Sequence, residues 1–74
     1  MIRAGQIYKS QDISCPLVVI RVDESKSPFA WVYFIFNNGY VERLWKKSVE
    51  AFELIAEYPT WQEAVNSKEF AEGI

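Results

Sequence analysis

A chain of 74 residues, half of them hydrophobic, has room for a single domain, residues 1–74, and none for a second. A formal net charge of −2 argues against binding driven mainly by phosphate neutralisation. The absence of histidine removes the commonest general base, the commonest metal ligand and every Ser–His or Cys–His nucleophile pair.

From the start of the chain, Met1–Gln6 lacks the apolar segment of a signal peptide. No apolar run approaches the roughly 20 residues of a spanning helix, so the expectation is a cytoplasmic protein without a membrane partner. A short first strand is expected at Gln6–Lys9, between Gly5 and the polar Ser10-Gln11-Asp12. Cys15, the lone cysteine, cannot close an internal disulfide and reads as a plain buried or half-buried thiol. The β-branched segment Leu17–Val22 predicts a second strand, placed behind Pro16 where a sheet tolerates proline. Strict alternation puts Val18, Ile20 and Val22 on one face, and Leu17, Val19 and Arg21 on the other.

After the polar loop Asp23–Pro28, Phe29–Phe36 is apolar throughout and rich in aromatic and β-branched residues. It predicts a central strand covered on both faces. Asn38-Gly39 is then expected as the two-residue turn of a hairpin, pairing Phe36 with Val41, Phe34 with Arg43 and Val32 with Trp45. On the other face the same register pairs Ile35 with Glu42, Tyr33 with Leu44 and Trp31 with Lys46. Val32, Phe34, Phe36 and Val41 are assigned to the interior, with Arg43 over an aromatic ring or at a rim.

Ser48–Phe52 reads as a helical turn with Ser48 as its cap. Residues 53–58 fit either a helical stripe or an alternating strand; a short closing strand is favoured because the sheet needs a further partner. Beyond Pro59, Thr60-Trp61-Gln62-Glu63 has the form of a capping box, opening a helix expected over Trp61–Phe70. Its Trp61, Ala64 and Val65 are the expected lid over the second face of the aromatic strand, and residues 71–74 an expected frayed end. The fold class is therefore mainly β (α+β): four or five antiparallel strands in a small barrel or strongly curved sheet, with a C-terminal helix packed on it.

The order strand, strand, hairpin, helical turn, strand, with Gly5-Gln6-Ile7-Tyr8 at its opening, resembles the SH3-like small barrels. The phrase Tyr58–Ser67 is similar to the endings of small uncharacterised phage and prophage proteins. Those proteins share no defined activity, so the resemblance implies a fold and a phage or prophage setting but no functional residue.

No residue pattern supports catalysis, a cofactor or a metal. The three glycines are dispersed, the carboxylates are spaced like solvated surface, and a single Cys without His matches no zinc spacing. Binding is the expected function, with Trp31, Tyr33, Arg43, Trp45, Lys46 and Lys47 as the candidate surface. Trp, Tyr and Arg are the residues that dominate protein interfaces, which predicts a protein partner or a second copy of the chain. Cations beside aromatic rings also suit single-stranded nucleic acid, the alternative reading.

Overall fold

The alternating and β-branched segments become five strands in the computed structural model, which describes residues 1–24 and 30–71. In chain order they are β1 (Gln6–Ser10), β2 (Ile13–Asp23), β3 (Trp31–Ile35), β4 (Val41–Trp45) and, after the helical turn α1 (Lys46–Val49), β5 (Glu53–Glu57). Two short helices follow, α2 (Trp61–Val65) and α3 (Lys68–Ala71). Phe29, the loop residues 25–28 and the end of the chain at 72–74 lie outside the described residues.

All pairings are antiparallel, and the sheet order is β4-β3-β2-β1-β5. The closing strand expected after the helical turn is present, beside β1. β4 and β5 form the two edges, so the sheet is open. β2 is longer than its β-branched stretch predicts: it starts at Ile13, runs through Pro16 and reaches Asp23.

Two hydrophobic clusters occupy opposite sides of this sheet. One contains Tyr8, Leu17, Val19, Val32, Phe34 and Val49 of α1, bordered by Phe36, Leu44 and Phe52. The other contains Ile7, Val18, Ala64 and Phe70, bordered by Ile35, Ile55, Trp61 and Val65. Val32 and Phe34 are buried as expected and Phe36 is half-buried, whereas Val41 is 47% exposed.

Val41 is displaced because the hairpin register differs by one residue from the expected one. Its loop is Asn37-Asn38-Gly39: the Gly39 amide donates to the Phe36 carbonyl at 2.9 Å, and the Phe36 amide to the Tyr40 carbonyl at 2.8 Å. Gly39 has φ +87° and no other residue of the loop has a positive φ. That excludes a two-residue type I′ turn, which needs two such residues, and fits a type I turn closed by a left-handed glycine. The pairs are consequently Trp31–Trp45, Val32–Leu44, Tyr33–Arg43, Phe34–Glu42 and Ile35–Val41. A one-residue slip turns every β4 side chain to the other face.

A second irregularity lies in β2. The register between β2 and β3 shifts between Val19 and Arg21, so a bulge at Ile20 interrupts the alternation. Val22 thereby joins Leu17 and Val19 on the α1 side, and Arg21 moves to the side of Val18 and Ile35.

The helical segments also depart from expectation. Trp45, not Ser48, precedes the first turn of α1, and it makes no side-chain cap bond. The Thr60 hydroxyl accepts the Glu63 amide at 3.2 Å, as the capping box requires, without the return bond from the Thr60 amide to the Glu63 side chain among the described residues. The expected single helix over 61–70 breaks at Asn66-Ser67. The Ser67 hydroxyl donates to the Ala64 carbonyl and accepts the Phe70 amide, ending α2 and starting α3 with one side chain. Both helices pack on β2, with α2 also touching β1. They do not form the expected lid over the aromatic strand, of which their cluster includes only Ile35.

The Tyr58 hydroxyl donates to the Glu69 carboxylate, fastening α3 to the end of β5. This bond is the largest of the effects that hold Glu69 below the usual carboxylate range, ahead of its own amide and against burial. With its folded pKa depressed, Glu69 contributes stability above its unfolded pKa, about 4.3. The contribution disappears as the pH falls through the folded value. In an NMR titration Tyr58→Phe is expected to raise the Glu69 midpoint toward the ordinary range. An unmoved midpoint would assign the depression to other groups.

Candidate functional site

The register of β2, β3 and β4 places three cross-strand rows on the side of the sheet that carries α2 and α3. They are Val18–Ile35–Val41, Arg21–Tyr33–Arg43 and Asp23–Trp31–Trp45. The helix-side cluster reaches the first row through Val18 and Ile35 but contains no member of the other two. Tyr33 and Trp31 are half-buried nonetheless.

Among the described residues, part of their cover comes from arginines. The Arg21 guanidinium carbon lies 4.3 Å from the centroid of the Tyr33 ring, and that of Arg43 lies 4.3 Å from the Trp31 ring. Each such contact at an exposed site is worth about 0.5–1 kcal/mol. Arginine suits the position because its guanidinium is weakly hydrated and planar, so it stacks on a ring while its edge stays in water. Trp45 leans against Trp31, with centroids 6.1 Å apart and planes tilted by 59°, and is itself 51% exposed.

Neither guanidinium has a carboxylate within 4.0 Å among the described residues, where the ion pairs are Arg3–Glu57 and Lys46–Glu24. The carboxylate next to Arg43 in sequence, that of Glu42, is used otherwise: it accepts the Arg43 backbone amide at 3.1 Å and the Tyr40 hydroxyl at 3.4 Å. Occupying an amide of an edge strand in this way also blunts the edge against pairing with another strand.

Of the six residues expected to form a binding surface, the fold brings together Trp31, Tyr33, Arg43 and Trp45. Lys46 stands apart from them. Its ammonium group is 2.6 Å from Glu24, and that hydrogen bond raises its pKa above the ordinary lysine value. Lys47 is exposed on α1, whose Val49 packs against the opposite side of the sheet. Arg21 is a member of the face that alternation assigns elsewhere. Its signal in the sequence is that it is the lone charge in Leu17–Val22, but only the bulge carries it beside Tyr33.

Other parts of the surface offer less. A hollow beside Met1, Ile2, Tyr8, Val49 and Glu50 includes Lys46, already paired, and a smaller one is lined by Lys9, Ser10, Gln11, Ala51 and Glu53. Among the described residues no three His, Cys, Asp or Glu side chains converge as metal ligands, and no helix is long and apolar enough to cross a membrane. Cys15 is half-buried and free. What fold and face together define is a small, mainly β protein with a five-stranded antiparallel sheet and an arginine–aromatic surface. Comparison with protein families, curated proteins and solved structures finds no match to the chain.

Proposed function

We propose that this chain is a non-enzymatic protein-interaction module that binds its partner through Arg21, Tyr33, Arg43, Trp31 and Trp45. The observation that carries the reading is the pair of exposed guanidiniums stacked on half-buried rings, left uncovered by the helices that close the rest of that side. Such a surface is prepared for contact: Trp, Tyr and Arg supply most of the binding energy at protein interfaces, and side chains already ordered lose little entropy on docking. A four-strand meander followed by a helical turn and a fifth strand beside the first also supports an SH3-like reading of the sheet.

Nucleic acid is the weaker candidate for the same face. Base stacking needs open ring faces, whereas guanidiniums lie over Trp31 and Tyr33, and Lys46 is engaged by Glu24. In affinity capture from cell lysate, the wild-type chain is expected to retain a stoichiometric partner that Trp45→Ser releases. A strictly monomeric chain that retains none, or a partner held equally by Trp45→Ser, overturns the proposal.

A further inference from the structure

We infer that the partner presents an acidic segment, with two carboxylates placed on Arg21 and Arg43; the inference rests on the interaction reading above. Both arginines flank Tyr33 in one cross-strand row, so their backbones are separated by two strand spacings, about 9–10 Å. Each guanidinium carries five N–H donors in a fork that matches a carboxylate. No protein acceptor takes any of them among the described residues, although those residues supply acceptors to Arg3 from Ala4, Tyr58 and Glu57. The stacked ring holds each fork in place before a ligand arrives, which reduces the ordering cost of a bidentate contact.

Charge complementarity selects the ligand class. The chain as a whole carries −2, so a dense polyanion meets net repulsion away from this face, while two separated cations match two separated carboxylates. In a polyproline II segment, which turns once in three residues and rises about 3.1 Å per residue, acids three positions apart lie on one side about 9 Å from each other. Trp31 and Trp45 in the adjoining row, with Ile35 and Val41 on the other side, offer apolar contact to the residues between or beside those acids.

The test is an NMR and tryptophan-fluorescence titration of the full chain with three probes. They are a dodecapeptide carrying Glu at every third position among Leu and Gly, its Gln counterpart, and a twelve-nucleotide oligothymidylate. The Glu peptide is expected to shift the Trp31 and Trp45 indole and the Arg21 and Arg43 Nε signals, and to lose affinity as salt rises. Arg21→Gln with Arg43→Gln should weaken it by about tenfold or more, and Arg21→Lys with Arg43→Lys by less, since charge is kept and the fork is lost. Retained amide spectra establish that the variants fold.

No response to the Glu peptide, an equal response to the Gln peptide, or tighter binding of the oligonucleotide overturns the inference. Self-association of the chain through the same signals overturns it also. A lysate partner that depends on Trp45 but tolerates both Arg→Gln changes would sink the acidic-ligand inference while leaving the interaction module standing. A chain that fails both this titration and the lysate capture loses both.

Discussion

Gly5→Ala is expected to remove about 3–5 kcal/mol of stability, from strain at a left-handed position and collision with backbone. Gly5 has φ +98°, and a Cβ added there would stand 2.2 Å from the Tyr58 carbonyl oxygen. That oxygen belongs to the main chain and accepts the Arg3 guanidinium at 2.9 Å, so it cannot swing aside as a flexible side chain would. Gly5 also ties three strands together: its amide donates to the Val19 carbonyl at 2.9 Å, and its carbonyl accepts the Tyr58 amide at 3.0 Å. Beside it, Gln6 is 3% exposed, with its amide oxygen accepting the Arg3 amide and the Tyr8 hydroxyl and its nitrogen donating to Met1 and Glu57. Burial, followed by the charge of Glu57, raises the Tyr8 pKa, so this hydroxyl remains a donor in the network.

A chain of 74 residues has about 4–11 kcal/mol of stability in all, so Gly5→Ala should leave a large fraction unfolded. Gly39 supplies the control. Its φ is also positive, at +87°, but nothing lies within 4 Å of an added Cβ, so Gly39→Ala is expected to cost only about 1–2 kcal/mol. Urea midpoints for the two variants check the difference. Equal losses would show that the approach to Tyr58 relaxes at little cost.

Phe34→Ala is expected to cost about 3–5 kcal/mol, whereas Trp31→Ala, three positions away on the same strand, costs about 1. Phe34 is fully buried among Val19, Val32 and Val49, with the Phe52 ring 6.5 Å away, so truncation leaves a cavity in a packed cluster. Trp31 faces the other side, where its cover is a guanidinium and a second tryptophan rather than a helix. The inequality bears on function as well as stability. Should Trp31→Ala destabilise as much as Phe34→Ala in denaturant titrations, the outer face is structural core and the interaction proposal loses its foundation.

The closing strand after the helical turn was favoured over a helix only because the sheet needs a further partner, whereas the first four strands and the helix start at Thr60 were legible because their signals are local. They rest on β-branched and aromatic runs, on Gly and Pro punctuation and on a capping hydroxyl. The candidate face was legible in part: Trp31, Tyr33, Arg43 and Trp45 stand in or next to the aromatic run, and their residue types favour contact. Lys46 and Lys47 share that stretch of sequence but leave the face, one for Glu24 and the other with α1.

Local residue patterns were enough to place β1 to β4, the helix start at Thr60 and the apolar residues on both sides of β3. The hairpin register, the bulge at Ile20, the strand at Glu53–Glu57, the helix break at Ser67 and the placement of Arg21 follow instead from long-range packing. Asn37-Asn38-Gly39 allows a two- or a three-residue loop at similar local cost, and the choice is made by burial. The shorter loop would set Arg43 opposite Phe34 in the interior, where an unpaired guanidinium costs several kcal/mol. The longer loop turns Leu44 inward beside Val32 and sends Arg43 out over Trp31.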